Sequence, residues 1–386
     1  MQDAITILPQ FETNYSTKCK GTFVSIHKAD IHFGAIDEKA QYDILKEQFI
    51  DRISILDNID LICIDGDLFE HKYMANSNVI YYAQLFIDNL VEFCRNKNTT
   101  LILLHGTYSH DSNQLKLFYH YLQDNTVDIR IVETIKFEYV RGVKILCIPE
   151  LYNIDDSIYN EYLFNSGLYD QCIIHGTIKG SVYGDNVGQS KLFTINDFKN
   201  CIGPTLAGHI HTGGCFNSHF YYCGSALRYK FGEEEPKGFL VVIQDLETRK
   251  YLVEKVLIES FSYKTIYLDD IISNDPKDTI NYINQIKDNN IDYLRIVFNN
   301  EVPSDIMLIL NNYYHSINNI KLQYENDAKS KIMKKNASEM NILGDLSFVL
   351  DKSLSEYEIL AKYINYNKGY EYITVDKLKE IINEEF

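Results

Sequence analysis

Tryptophan is absent from the 386 residues, no two cysteines stand at the Cys-x-x-Cys spacing, and positive charge is scarce. No apolar run approaches the roughly eighteen residues that cross a bilayer as a helix. The missing tryptophan, beside 30 tyrosines and abundant Ile, Asn and Lys, fits an AT-rich genome and excludes no function. The eight cysteines, at positions 19, 63, 94, 147, 172, 201, 215 and 223, are scattered, and several lie in strand-like runs. That pattern argues against a disulfide framework or a paired-cysteine zinc site and leaves reduced core thiols as the expectation. The opening Met-Gln-Asp-Ala-Ile-Thr lacks a basic stretch followed by an apolar one. A cytoplasmic location is therefore expected. With 37 Lys and Arg against 54 Asp and Glu, the formal net charge is −17, which argues against indiscriminate capture of polyanions. A nucleic-acid enzyme of this composition would need divalent metal, a local basic patch or a partner subunit, because phosphate contacts require positive charge somewhere.

What is present is an ordinary globular composition, 45% hydrophobic and 24% charged, which excludes collagenous, coiled-coil and wholly disordered classes. The length suits one large domain with one or two smaller appendages. Residues 22 to 28 predict a strand, 38 to 57 an amphipathic helix, 61 to 64 a strand, 78 to 95 a helix, 101 to 104 a strand and 113 to 123 a helix. This is the rhythm of a layered α/β domain. Short strand-like segments follow near 129 to 148, 171 to 175, 204 to 208, 219 to 223, 238 to 244 and 250 to 257, and predict a second sheet packed on the first. From 262 to 328 the pattern restarts as a compact α+β unit. A lysine-bearing stretch at 329 to 344 predicts a solvated linker, and 345 to 386 a helical tail that docks on the body or on a partner.

The chemistry is carried by five short motifs, most of them just after a predicted strand, where layered α/β sheets place their active sites. They are Asp30-Ile-His32, Gly66-Asp67-Leu-Phe-Glu70, Ser109-His110-Asp111, Ile174-His175-Gly176 and Gly208-His209-Ile-His211. Any one of them occurs by chance in many loops. Five of the eleven histidines fall inside them, and it is the ordered succession on strand ends that carries the signal. Imidazole mixed with carboxylate suits borderline divalent ions such as Mn²⁺, Zn²⁺ or Fe²⁺, whereas carboxylates alone would point to Mg²⁺ or Ca²⁺. With Asp67 able to bridge, there are ligands for two ions. Such a pair, about 3.5 to 4 Å apart, activates water and neutralises charge in an in-line displacement at phosphorus, so the implied chemistry is phosphoester hydrolysis. A structural zinc site would instead be a closed set of four ligands with cysteine. His27 reads as structural. His105 is either a core residue or a replacement ligand, and His71 is either bland or near the metals. His120, His219 and His315 carry no signal.

The ordered set resembles the calcineurin-like metallophosphoesterase superfamily. Within it, Gly66-Asp-Leu-Phe-Glu70 and Tyr222-Cys-Gly-Ser-Ala-Leu-Arg-Tyr-Lys-Phe-Gly-Glu-Glu-Glu-Pro-Lys-Gly-Phe239 look like the SbcD/Mre-type DNA repair nucleases, including phage recombination endonuclease subunits. The motif resemblance covers roughly residues 22 to 245. It implies a four-layer α/β/β/α sandwich core over residues 1 to 261, a capping domain over 262 to 328 and a partner-binding tail over 345 to 386. It further implies that Asp30, His32 and His211 hold one ion, that Asp67 bridges, and that His175 and His209 hold the other, most plainly Mn²⁺ at both. His110 would stabilise the transition state or protonate the leaving oxygen, a task suited to imidazole. Asp111 would orient His110 or serve as a helix cap. The implied partners are DNA, an SbcC-type ATPase subunit and a second copy of the chain, with no membrane.

One motif departs from the family pattern, which reads Gly-Asn-His-Asp where this chain has Gly106-Thr107-Tyr108-Ser109-His110-Asp111. Alignment from His-Asp puts Ser109 at the Asn position, and alignment from Gly puts Thr107 there. Either hydroxyl is a weaker ligand than an amide carbonyl, so a weakened or water-completed second site is expected. Two further functions compete with the nuclease. One is a phosphatase or cyclic-nucleotide phosphodiesterase of the same superfamily. The other is a catalytically silent binding subunit, to which the altered third motif would point.

Overall fold

The structure, a computed structural model, describes residues 21–324 apart from 57, 182–189, 234, 269–274, 288–290, 299–301, 315–316 and 318. The expected linker at 329 to 344 and tail at 345 to 386 lie outside the described residues.

The architecture is mixed α/β. In chain order the strands are β1 (Thr22–Lys28), β2 (Leu61–Ile64), β3 (Thr100–Leu104), β4 (Asp128–Val132), β5 (Lys136–Val140), β6 (Val143–Ile148), β7 (Gln171–His175), the short pair β8 (Thr177–Ile178) and β9 (Leu192–Phe193), β10 (Thr205–Gly208), β11 (Gly214–Asn217), β12 (Phe220–Tyr222), β13 (Gly238–Asp245) and β14 (Tyr251–Leu257). One six-stranded sheet has the order β14-β13-β1-β2-β3-β4, and the other β11-β12-β10-β7-β6-β5. In the first, β1 to β4 are parallel neighbours and β13 joins β1 antiparallel. In the second, β6, β7, β10 and β12 are parallel, with antiparallel β5 and β11 at the edges.

The split between sheets corrects one expectation. The segments at 129 to 132, 238 to 244 and 250 to 257 belong to the first sheet, not the second. Alternating apolar residues identify a strand but not its partner, and β13 finds β1 across more than 200 residues, with Ile26 opposite Val241.

Side-chain alternation distributes the apolar residues between clusters. Leu61 and Cys63 of β2 join Ile102, Ile145, Cys147 and Ile173 in one cluster that draws on both sheets. Ile62 and Ile64 pack instead with Leu45, Phe49, Phe86 and Leu90. Ile174 and Cys172 of β7 pack with Tyr159, Leu163 and Phe198. The helices are set by local signals. Asp37 caps the helix Glu38–Leu45 by accepting from the Ala40 N–H at 2.8 Å. Ser77 caps the helix Asn78–Lys97, which stops where Asn98 turns left-handed at φ 52°.

The chain divides into two compact units, with the change at Lys264/Thr265 and residues 291–293 belonging to the first. The second unit contains most of β15 (Tyr263–Leu268), β16 (Tyr293–Phe298) and β17 (Ile320–Tyr324) with the helices Pro276–Lys287 and Ser304–Tyr314. Ile283, Leu294, Ile296 and Leu310 form its buried centre.

Among the described residues, no helix is long and apolar enough to cross a membrane.

Candidate metal centre

Parallel pairing brings the ends of β1, β2 and β3 side by side, and those of β6, β7 and β10 likewise. The candidate residues sit at those ends. Asp30 and His32 follow β1, Asp67 follows β2, Thr107 and His110 follow β3, His175 closes β7, and His209 and His211 follow β10. Four of them occupy left-handed backbone that non-glycine residues seldom adopt: Asp30 (φ 50°), His32 (49°), Asp67 (53°) and His209 (87°). Such strain persists where surrounding bonds over-determine it. Here the Asp30 N–H donates to the Gly66 carbonyl and the His32 N–H to that of Asp67, each at 3.0 Å, and the His209 N–H donates to Asp30 Oδ1 at 2.9 Å.

Two glycines make the close approach feasible. A Cβ on Gly66 would fall on the His175 ring, and one on Gly106 would fall on the backbone nitrogen and carboxylate of Asp67.

Three groups of side chains gather to metal-holding distance at this centre: Asp30, His32 and His211; His32, Asp67 and His110; and Asp67, His175 and His209. Ligands about 2.0 to 2.2 Å from a common ion lie roughly 3 to 3.5 Å apart. His32 Nε2 and His211 Nε2 are 3.0 Å apart, and His175 Nε2 is 3.2 Å from Asp67 Oδ2. The far nitrogens are held from behind. His175 Nδ1 donates to the Asp65 carbonyl at 2.8 Å, and His211 Nδ1 to Glu233 Oε1 at 2.8 Å. His32 Nδ1 lies 2.9 Å from Glu70 Oε2 as an ion pair, without well-aligned hydrogen-bond geometry. Outer partners of this kind fix the tautomer so that Nε2 offers its lone pair inward, the arrangement of metal-ligating histidines. The donor set therefore fits divalent ions.

Charge tells the same story. Burial is the largest influence on the Asp67 carboxyl and opposes ionisation, yet the imidazoles of His175, His32 and His110 together hold it below the usual carboxylate range. Burial likewise opposes charge on His175, but Asp67, Asp30 and Glu150 raise its pKa well above the ordinary imidazole value. Against burial, His209, His175 and a Thr107 hydrogen bond bring Glu150 down to about 2. Burial opposes charge on Glu233 too, and His211, the Tyr229 N–H and Lys237 bring it to about 2. A pocket so rich in carboxylate draws positive charge, which protonated imidazole or a divalent cation can supply.

The third motif resolves into distinct parts. The Thr107 hydroxyl lies 3.2 Å from Asp67 Oδ2, 2.8 Å from Glu150 Oε2 and 3.4 Å from His175 Nε2, whereas Ser109 is exposed on the short helix Tyr108–Asp111. His110 donates from Nδ1 to the Glu70 carbonyl, and its ring stands edge-on to His32 with centroids 4.7 Å apart. Asp111 is fully buried and accepts the backbone N–H groups of Asp67 (3.1 Å), Leu68 (2.8 Å), Phe69 (3.2 Å) and Gly106 (2.8 Å). Its carboxylate clamps two loops of the site together; the partner of His110 Nδ1 is the Glu70 carbonyl. His105 donates from Nε2 to the Ser112 carbonyl, 2.7 Å away, in a hydrogen-bonded role. The exposed His71 ring stacks 6.2 Å from that of His110.

Buried beneath the centre, His27 Nδ1 meets Asp65 Oδ2 at 3.1 Å and Cys223 donates to the same oxygen at 3.3 Å. This group braces the residue whose carbonyl holds His175.

Sequence reasoning missed Glu150. It follows the apolar run of β6 by two residues, the same strand-end signature as the others, but without a histidine or glycine beside it. The bracing roles of Glu70 and Glu233 were also unseen, although both residues lie within quoted motifs.

No family model matches the chain. A curated protein named "Putative phosphoesterase 244L", from Invertebrate iridescent virus 6, is 26% identical over 214 residues, 52% of this chain and 71% of that protein. Among solved structures, one chain is 11% identical with a TM-score of 0.37, covering 61% of this chain and 99% of its own length. The Aquifex aeolicus protein of unknown function AQ665 is 15% identical with a TM-score of 0.21, covering 45% and 89%. Neither structural likeness is close enough to bear on function.

Proposed function

We propose that this chain is a metal-dependent phosphodiesterase that hydrolyses DNA, a nuclease of the SbcD/Mre type using two divalent ions, most readily Mn²⁺. One observation carries the reading: imidazoles from two different sheets turn Nε2 inward around a shared Asp67, with their far nitrogens braced. The similarity to a viral protein named as a phosphoesterase supports the reaction class. Support for the nuclease type comes from the Tyr222 to Phe239 segment, whose Glu233 braces His211 and thereby ties that segment to the metal centre. The same reading extends to architecture, since three of the apolar clusters are those an α/β/β/α sandwich would form. It extends to partners, since a net charge of −17 leaves DNA affinity to be supplied by metal and by an SbcC-type ATPase, with the chain working as a homodimer.

Asp30, His32 and His211 would hold one ion, His175 and His209 the other, with Asp67 between them. Two bound divalent ions supply an activated water and neutralise charge on the phosphate. The chain's own groups do the rest. Hydrolysis leaves an alkoxide that must gain a proton, and His110, fixed through Nδ1 on the Glu70 carbonyl, presents Nε2 as the donor. Asp111 keeps the loops carrying Asp67 and His110 in register. An open concavity lined by Tyr108, Lys116, Glu150 and Tyr152 adjoins the centre.

The test compares linear duplex and single-stranded DNA with a phosphate monoester, using chelator-treated protein resupplied with Mn²⁺. Metal-dependent DNA cleavage that falls about 10²- to 10⁴-fold in His110→Ala, with Mn²⁺ binding retained, is expected. Release of phosphate from the monoester with DNA untouched would favour the phosphatase reading instead, and no turnover of either would favour a silent binding subunit.

A further inference from the structure

The third motif lacks the amide that would complete the second half-site, and the fold brings another group to the gap. β6 lies beside β7 in parallel, with Ile148 level with Ile174, so the residue two places beyond β6 reaches the end of β7 where His175 stands. That residue is Glu150. It is buried, and its Oε2 lies 3.4 Å from His209 Nδ1, 3.9 Å from His175 Nε2 and 2.8 Å from the Thr107 hydroxyl. Its other oxygen accepts from the Tyr152 hydroxyl at 3.0 Å, which fixes the direction of the carboxylate. Thr107 Oγ1 in turn sits within 3.4 Å of Asp67, Glu150 and His175 together. Asp67, His175 and His209 already gather to metal-holding distance, and Glu150 comes up beside the two imidazoles with the Thr107 hydroxyl between the two carboxylates.

We propose that Glu150 is a direct ligand of the second ion, so that this half-site holds its cation with two carboxylates, Asp67 and Glu150, and two imidazoles, His175 and His209. The inference rests on the two-metal reading above and sharpens it. A carboxylate in place of a neutral amide adds one negative charge. It turns a half-site expected to be weak into one that favours the oxygen-preferring ions Mn²⁺ and Mg²⁺ over softer metals. The first half-site, with Asp30 as its own carboxylate beside the shared Asp67, does not involve Glu150. The two should therefore respond separately.

The experiment titrates Mn²⁺ into the metal-stripped full-length chain, following stoichiometry and affinity by calorimetry and spin coupling by electron paramagnetic resonance. Wild type should bind two ions and show a coupled pair. Glu150→Gln should keep the first ion at wild-type affinity, weaken the second by about 10-fold or more, and lose the coupled signal at sub-saturating Mn²⁺. Retention of the first ion certifies that the variant is folded. Glu150→Asp, which keeps the charge but withdraws it by one methylene, should weaken the second ion less than Gln does, and it decides the matter should Gln fail to fold. Tyr152→Phe should leave both ions bound. Two ions of unchanged affinity in the folded Gln variant, or in the Asp variant if Gln does not fold, would overturn the ligand role of Glu150 and leave the two-metal reading intact. Failure of wild type to bind any Mn²⁺ would overturn both.

Discussion

The two halves of the candidate metal centre are built differently. Around Asp30, His32 and His211, the imidazoles are backed by side-chain carboxylates, Glu70 and Glu233, that sit in loops after β2 and before β13. Around Asp67, His175 and His209, the deepest imidazole is backed by a main-chain carbonyl, that of Asp65, itself pinned by His27 and Cys223. The first half is tuned by replaceable side chains, and the second is set into the junction of the sheets. A change to a side chain should thus reach one half at a time, unless it touches what they share.

What they share is Asp67, and its removal should erase the distinction. Asp67→Asn is expected to weaken Mn²⁺ at both half-sites, with cleavage falling beyond the roughly 100-fold that outer-partner changes cost. Calorimetric titration would show whether one half survives, which would separate the halves more sharply than the structure does. Next in size is Asp111→Ala, which strips four backbone N–H groups of their acceptor. It should lower unfolding stability by about 3 kcal/mol or more in urea titration, since buried donors left unpaired are costly. A loss of activity without that loss of stability would reassign Asp111 from clamp to chemistry.

A smaller and one-sided effect is expected from Glu233→Gln. The first ion should weaken about 10- to 100-fold while the second holds, measured in the same Mn²⁺ titration. Equal weakening of both would mean that the halves do not respond separately. The smallest effect is on pH. In metal-free protein, Glu150 and Glu233 titrate at about 2, below the roughly 4.3 of an unfolded glutamate. Each therefore adds stability that is fully present above about pH 4.3 and is lost as pH falls toward 2. The urea midpoint of Glu233→Gln should decline less steeply than that of wild type across that window.

Much of this was legible in the chain, and what was not has definite causes. β1, β2 and β7 have the bounds that their apolar runs predict, because buried parallel strands are continuous in apolar residues. Helix Asn78–Lys97 was legible from periodicity. The return of β13 and β14 to the first sheet was not, because pairing across 200 residues leaves no local mark. Within the centre, His-bearing motifs announce themselves, whereas Glu150 stands alone behind Ile148 and Pro149 and acquires meaning only through the β6–β7 pairing. The choice between Ser109 and Thr107 stayed open for a similar reason. The turn that points one hydroxyl at Asp67 and leaves the other exposed is a property of the short helix Tyr108–Asp111, too brief to show a period.

The claim on which all of this depends is that Asp67 stands between two ions. Diffraction from Mn²⁺-soaked crystals at the manganese absorption edge tests it most directly. Two anomalous peaks about 3.5 to 4 Å apart on either side of the Asp67 carboxylate are the predicted result, and a single peak, or peaks remote from Asp67, would contradict it.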